Sequence, residues 1–332
     1  MTEKIKKKKF TFGPVPSRRL GRSLGIDFVP FKTCTYDCVY CQLGRTTNKT
    51  IDLKEYSPVD DIIDGVRTKL QGIPRPDYIT LSGSGEPTLH SRVRDIIQGI
   101  KGITDIPVAV LTNGSLFWID EVRNSVLDAD LIIPSLDGGD AETFLYVNRP
   151  HQVISFDKMI RGLIELREQF DGPIWLEVFL IKGVTDGESE LVKIKTWIDR
   201  IVPDVIQLNT AVRTPAEDFV DLVKQDTLED IARFLGPRCE IIADYSKVHR
   251  LGEFKRTRDD VLDMLVLRPC SIDDISGGLD LHRNEVIKYV EELLDQKLIR
   301  KKKQGERILY HAIRNHDKRI IHNTNEHQLK GD

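Results

Sequence analysis

No stretch of this sequence is apolar for long enough to span a membrane as a helix, and the N-terminus lacks the hydrophobic core of a signal peptide. Cysteine is scarce: there are five in 332 residues, and three of them fall within eight positions. That excludes a secreted disulfide framework and makes a reducing cytoplasm the expected setting. Net charge is scarce too, at −3, so the molecule as a whole is not a polyanion binder by charge alone. Three tryptophans and scattered phenylalanines offer no ladder on which bases would stack. What the chain does have is 40% hydrophobic residues, enough for a sizeable core in one large domain or two smaller ones.

The charge is unevenly spread. Lys4, Lys6 to Lys9, Arg18, Arg19 and Arg22 face only Glu3 within the first 22 residues. Lys4 to Lys9 read as a solvated tail, whereas Arg18, Arg19 and Arg22, close before the first strand, are placed to meet phosphate near a site mouth. From Thr257 onward, 14 basic residues balance 14 acidic ones. A helix there carries Glu285, Glu291, Glu292 and Asp295 against Arg283 and Lys288, which argues against DNA; Arg300–Lys303 is the one basic patch.

Between residues 24 and 250 short apolar runs alternate with helical periodicity. Strands are expected at Leu24–Val29, Asp77–Leu81, Pro107–Leu111, Ala129–Leu136, Ile174–Ile181 and Asp204–Asn209. Helices are expected between them, with Ser57 capping the first, ahead of Pro58. Strict alternation and strands that are apolar on both faces argue for α/β architecture with a parallel sheet and helices outside. Six β-then-α units fit a partial (β/α)6 TIM-type barrel, although the pattern alone equally allows an open doubly wound sheet. Cys239–Ala243 is expected at the barrel edge. From about residue 257 to 314 the texture changes to three helices and a hairpin, which resembles a small winged-helix α+β domain. Residues 1–23 read as a basic extension and 315–332 as a disordered tail.

The polar clusters fall just after strands, at the carboxyl face where parallel α/β folds build their sites. Foremost is Cys34-Thr35-Tyr36-Asp37-Cys38-Val39-Tyr40-Cys41. Thiolates this close cannot all pair as disulfides, but they can converge on one metal centre. Three are too few for a closed structural zinc site and suit a four-iron cluster with one iron left for a small molecule. The competing reading is a zinc loop with a distant fourth ligand. Cys239 and Cys270 have no partner at ligand spacing and read as small core residues.

The C-x3-C-x2-C spacing with Tyr40 before the last cysteine, together with Gly83-Ser84-Gly85-Glu86-Pro87, resembles the radical SAM superfamily. Phe12–Gly21 narrows the likeness to the wyosine-synthase-related group, over about residues 10–215. The chain departs from wyosine synthases in having no cysteine before Cys34, and from the usual G-G-E-P run in having Ser84 between the glycines. The resemblance implies one [4Fe–4S] cluster on Cys34, Cys38 and Cys41. It also implies S-adenosylmethionine on the remaining iron, cleaved reductively to a 5′-deoxyadenosyl radical, and a flavodoxin- or ferredoxin-type electron donor. It carries cofactor contacts to Tyr40, Gly83, Gly85, Glu86, Asn113, Ser135, Asp137, Gly183 and Asn209. Glycines let backbone approach a ligand, and Glu86 is expected to hold the methionine ammonium.

Candidates for chemistry on the substrate are Arg149, His151, Glu177, Lys182 and Arg213. Arg149 and Arg213 suit a carboxylate or phosphate, and His151 suits proton transfer. Glu177 shares a strand face with Phe179 and Ile181, and buried it would need Lys182 or an arginine as partner. The expected activity is modification of an RNA or a metabolite. An activase that places a radical on a protein partner and a winged-helix regulator carrying a cluster are the alternatives.

Overall fold

The structure is a computed structural model that describes residues 10–17, 19–211, 215–243, 258–279, 281, 283–304 and 307–313. The Lys4–Lys9 stretch, Arg18, Arg213 and the tail from 315 to 332 lie outside these residues, as do the side chains of Arg283, Glu285, Lys288 and Glu291. The chain divides into two compact units, within Met1–Lys247 and Val248–Asp332.

In the first unit the order is β1 (Thr11–Ser17), β2 (Gly21–Ile26), β3 (Thr33–Cys34), β4 (Asn48–Lys49), α1 (Val59–Gln71), β5 (Tyr78–Leu81) and α2 (Val93–Lys101). There follow β6 (Val108–Leu111), α3 (Asp120–Ser125), β7 (Leu131–Ile133), α4 (Ala141–Asn148), α5 (Phe156–Gln169) and β8 (Trp175–Leu180). The unit ends with α6 (Glu188–Ile201), β9 (Val205–Thr210), α7 (Gln225–Leu235) and β10 (Cys239–Ile241). Strands β2, β5, β6 and β7 pair in parallel in that order, as do β8, β9 and β10. Parallel bridges Ile132↔Ile174 and Ser135↔Glu177 join the two sheets, so seven parallel strands run in chain order, β10 at the edge and β2 and β5 to β9 as the six strands of the barrel. Each of the six is followed by a helix, in the partial (β/α)6 arrangement. Cys239–Ile241 lies at the edge beside β9.

Both faces of this sheet are buried, for different reasons. Val108, Val110, Ile132, Leu176 and Val178 join the large core with the helices, where α2 contributes Val93, Ile96, Ile97 and Ile100 from one stripe. The alternate residues Ala109, Leu131 and Ile133 form a separate cluster on the other face, closed by Leu20 and flanked by Tyr78, Leu111 and Trp175. Segregated faces of this kind belong to a curved sheet with helices on one side only.

Two local expectations change. β2 begins at Gly21, and Thr11–Ser17, for which periodicity suggests no strand, pairs antiparallel with it. Pro14 and Pro16 hide that strand, but at a sheet edge proline is tolerated. Ser57 does not cap α1; its hydroxyl donates to the Phe28 carbonyl at 2.9 Å, and the Glu55 carboxylate accepts from Val59 N–H instead. Ser155 does cap α5.

The second unit contains α8 (Arg258–Leu267), α9 (Ile272–Leu279), α10 (Arg283–Asp295) and the antiparallel hairpin β11 (Ile299–Gln304)–β12 (Arg307–Ala312). Ser271 and Asp274 cap α9 reciprocally, Asp274 N–H donating to the serine oxygen and Ser271 N–H to the carboxylate. Cys270 is buried and bridges Tyr310 in an antiparallel pair, so its role is structural. Among the described residues no helix is long and apolar enough to cross a membrane.

Helix α5 packs unusually close to the chain after β6. A Cβ on Gly162 would lie 2.4 Å from Trp118 N and 2.5 Å from Phe117 C, both backbone atoms that cannot swing aside. Gly162→Ala is therefore expected to cost about 1–3 kcal/mol of stability, read by chemical denaturation.

Candidate functional site

The cysteine loop leaves the carboxyl end of β2 and is fastened by backbone bonds to several later segments. Lys32 N–H donates to Ser84 O at 2.7 Å, Asp37 N–H to Asn148 O at 3.0 Å, and Val39 N–H to Val147 O at 2.9 Å. Thr35 O accepts from His151 N–H at 2.8 Å, and Val39 O from Glu217 N–H at 3.0 Å. The loop is thus held at the same end of the sheet as the segments that follow β5, β7 and β9.

The Gly83–Pro87 run braces this loop. A Cβ on Gly83 would meet the Asp27 carboxylate at 2.3 Å, and one on Gly85 would meet Thr33 O at 2.6 Å. Gly83 thus makes room for the Asp27 side chain and Gly85 for the backbone just ahead of Cys34. Ser84 is anchored by two bonds to one carboxylate, its N–H and hydroxyl both donating to Asp27, at 3.1 and 2.6 Å. Glu86 is buried and well supplied. Its Oε1 accepts from Thr88 N, Thr88 Oγ1 and Thr112 Oγ1, at 3.1, 2.6 and 2.6 Å, and its Oε2 accepts from Asn113 N at 2.9 Å. Burial raises its pKa against the pull of these donors. The carboxylate therefore ties the end of β5 to the end of β6.

The three cysteines are free and partly buried. Burial pushes the Cys34 thiol up to about 12, with Glu86 and Cys41 adding to the shift, and burial with Asp137 and Cys34 raises Cys38 well above its ordinary value. Thiolates here repel one another and lack solvent, a condition that a cationic metal centre relieves. Among the described residues no three His, Cys, Asp or Glu donors gather about one point, as a single ion requires. Three thiols offered by one loop suit a polynuclear centre, where each binds a different iron, and are one short of a closed zinc site. The donor set thus fits a four-iron cluster better than the zinc reading. Each sulfur also accepts one side-chain hydrogen bond: Cys34 from Asn113 Nδ2 at 3.5 Å, Cys38 from Asn148 Nδ2 at 3.5 Å, and Cys41 from Lys32 Nζ at 3.1 Å.

The remaining candidates separate into groups. Asp137 is buried and accepts from the Tyr40 hydroxyl, from Asn148 Nδ2 at 2.7 Å and from Phe179 N–H at 3.2 Å. Burial lifts its pKa to about 6. The Tyr40 ring stacks on Phe179 with centroids 3.9 Å apart. Asp137 thus orients Tyr40 and Asn148, beside Cys38. Glu177 does point away from the helices, and its partners are the Arg19 guanidinium and Asn209 Nδ2, the latter at 2.7 Å. Arg19 reaches Glu177 from the β1–β2 turn, a pairing over 158 positions that no local pattern reveals. Ser135 is partly buried in the bridge to Glu177.

Arg149 pairs with Glu217 at 2.5 Å, which Arg45 also meets at 2.8 Å. Lys182 and Gly183 are exposed, with their N–H groups taken by Asp221 O and Asp186 Oδ1. His151 is partly buried and accepts from Val153 N–H at 3.4 Å through Nδ1. The structure thus gathers Tyr40, Asp137, Glu86 and Asn113 around the cysteine loop, and leaves Lys182 and Gly183 at the surface. Sequence reasoning missed Asp27, Lys32, Thr35 and Asn148. Asp27, just past the end of β2, and Lys32, two residues before Cys34, stood in telling places.

A family model described as the radical SAM superfamily matches residues 28–194, half of the chain. A UPF0026 protein of Methanocaldococcus jannaschii is 32% identical over 320 residues, covering 93% of this chain and 98% of its own length. A protein named GTPase Obg from Brachyspira hyodysenteriae is 42% identical over 297 residues, 89% of this chain. This chain spans only 44% of that relative, whose name describes a much longer protein. A radical SAM methyltransferase from Sphaerobacter thermophilus superposes with a TM-score of 0.50 at 15% identity, covering 66% of each chain, a likeness of fold alone.

Asp27→Ala should leave the Ser84 N–H and hydroxyl without their acceptor. The expected loss is about 1–3 kcal/mol in chemical denaturation, with faster labelling of the cysteine-loop thiols by an aromatic disulfide reagent.

Proposed function

The chain belongs to the radical SAM superfamily and, with its UPF0026 relatives, to an enzyme group using a [4Fe–4S] cluster and S-adenosylmethionine; we propose that Cys34, Cys38 and Cys41 hold that cluster and that the surrounding strand ends seat S-adenosylmethionine. The observation that carries this reading is the set of three thiols in one loop, each supplied with its own N–H donor. Held there by the three thiolates, the cluster would supply the electron for reductive cleavage of S-adenosylmethionine. The protein's part is to bind, orient and exclude water. Glu86 and Asp27 hold the cysteine loop against β5 and β6, Asp137 holds Tyr40 by its hydroxyl, and Phe179 supports the ring. Among the other cofactor candidates, Ser135 and Asn209 stand at strand ends on the sheet face away from the helices. Exposed Gly183 offers only backbone.

For the substrate, the observation that favours one class lies in the second unit, which we read as a winged-helix-like docking module. Lys301, Lys302 and Lys303 are all exposed on β11 beside exposed Arg300. A basic edge on a module whose other charges are mostly acidic suits a polyanion, and RNA fits better than DNA because the acidic α10 would oppose a duplex groove. A flavodoxin- or ferredoxin-type donor would supply the electron.

Reconstituted without oxygen, the chain is expected to take up about four irons. It should convert S-adenosylmethionine to methionine and 5′-deoxyadenosine under strong reductant, slowly even without substrate. Replacing Cys239 and Cys270 together by Ala should leave iron content unchanged, whereas Ala at Cys34, Cys38 or Cys41 should abolish it. Iron lost from the Cys239/Cys270 double variant would refute the assignment.

Replacing Lys301, Lys302 and Lys303 by Ala should weaken transfer-RNA binding about tenfold at low salt and much less at high salt, measured by filter binding. Equal binding by both proteins at low salt would exclude the RNA-docking role.

A further inference from the structure

The three side-chain hydrogen bonds to sulfur come from three unrelated places in the fold. Asn113 sits at the end of β6, and its Nδ2 gives one hydrogen to Thr35 Oγ1 at 2.7 Å, leaving the other for Cys34. Its Oδ1 accepts from Ser115 N–H at 3.0 Å, which fixes which end of the amide faces the sulfur. Asn148 ends α4 and repeats the scheme: one hydrogen goes to Asp137 at 2.7 Å and the other to Cys38. Cys41 is met by Lys32, which is only 3% exposed and whose Nζ lies 3.1 Å from the sulfur. The Lys32 backbone is itself fixed, with φ 53°, its N–H on Ser84 and its carbonyl accepting from Asn48 N–H at 3.1 Å.

Burying a lysine requires an acceptor that offsets its lost hydration. The acceptor here is a sulfur that becomes more electron-rich whenever the bound centre gains an electron. Two neutral amides and one ammonium, one per sulfur, thus form a graded set of donors.

Resting on the cluster reading above, we propose that Lys32, Asn113 and Asn148 are positioning residues that stabilise the reduced cluster through one side-chain N–H···S bond to each thiolate, with Lys32 the strongest because it also brings a positive charge. Reduction adds a negative charge to the cluster and its ligands. Donors at the sulfurs favour that state, raise the reduction potential and ease electron transfer from a donor protein. Removing one makes the cluster harder to reduce and need not alter the iron count. The Ser84–Asp27 brace becomes part of the same device, because it holds the loop from which Lys32 reaches Cys41.

The test uses the full chain, reconstituted with iron and sulfide and titrated with dithionite against redox mediators while the reduced cluster is followed by electron paramagnetic resonance. At the potential where the unmutated cluster is half reduced, Lys32→Met should lower the reduced-to-oxidised ratio about tenfold. Asn113→Ala and Asn148→Ala should lower it less, and Lys32→Arg should restore most of it. Lys49→Met is the control for charge alone: Lys49 pairs with Cys34 across β3–β4, but its Nζ donates to the Arg149 and Pro150 carbonyls. Pulsed resonance on the unmutated chain labelled with 15N-lysine should show one lysine nitrogen coupled to the reduced cluster, a measurement that no folding defect can confound. An unchanged ratio in iron-replete Lys32→Met, an equal shift in Lys49→Met, or no coupled lysine nitrogen each overturns the proposal. An unmutated chain that takes up no iron fails earlier, and overturns the cluster reading on which the proposal rests.

Discussion

Three thiols within eight residues would, as thiolates, concentrate negative charge where burial makes charge costly, and the segments around the loop are arranged about that constraint. Desolvation and the nearby carboxylates Glu86 and Asp137 raise the cost of forming thiolates. Donors at the sulfurs lower it, as a cationic centre does. The loop offers the Tyr36 N–H to Cys34, and the side-chain donors come from outside it. They come from a lysine ahead of the loop and from amides at the ends of β6 and α4. A parallel sheet with all its strand ends on one side suits this demand, because successive units deliver side chains to the same place.

The carboxylates in that region act as braces as much as contacts. Asp27, Glu86 and Asp137 are each filled by donors, and each ties the cysteine loop or its neighbours to a strand end. A buried carboxylate with its hydrogen bonds met is rigid, since releasing any one partner leaves charge unpaired in a poor solvent. Rigidity is what radical chemistry asks of a protein, because a reactive centre must be held beside its target and away from water. The Tyr40–Phe179 stack serves the same end from the apolar side.

Seen from the sequence, the outcome divides along a physical line. The β/α alternation, the six parallel strands and the cysteine loop were legible because periodicity and spacing are local properties. So was the burial of Cys270. The strand Thr11–Ser17 was not legible, since prolines mask an edge strand whose pairing is decided by its neighbour. Ser57 looked like a cap from its position before Pro58, yet tertiary packing offered its hydroxyl the Phe28 carbonyl instead. Glu177 called for Lys182 or an arginine as its partner, and the curved sheet, which no local pattern encodes, brought Arg19 to that carboxylate.

The amino-acid sequence by itself therefore determined the class of fold and set three thiols together in one loop that leaves a strand end. Only the tertiary structure decided which polar residues serve them. Gly83 yields to the Asp27 carboxylate and Gly85 to the Thr33 carbonyl, which approach within contact distance there. Lys32, Asn113 and Asn148 find one sulfur each because the sheet brings together segments up to 110 positions apart. Hydrogen bonds reach about 3 Å, and nothing in a linear pattern specifies which distant residues will come within that distance.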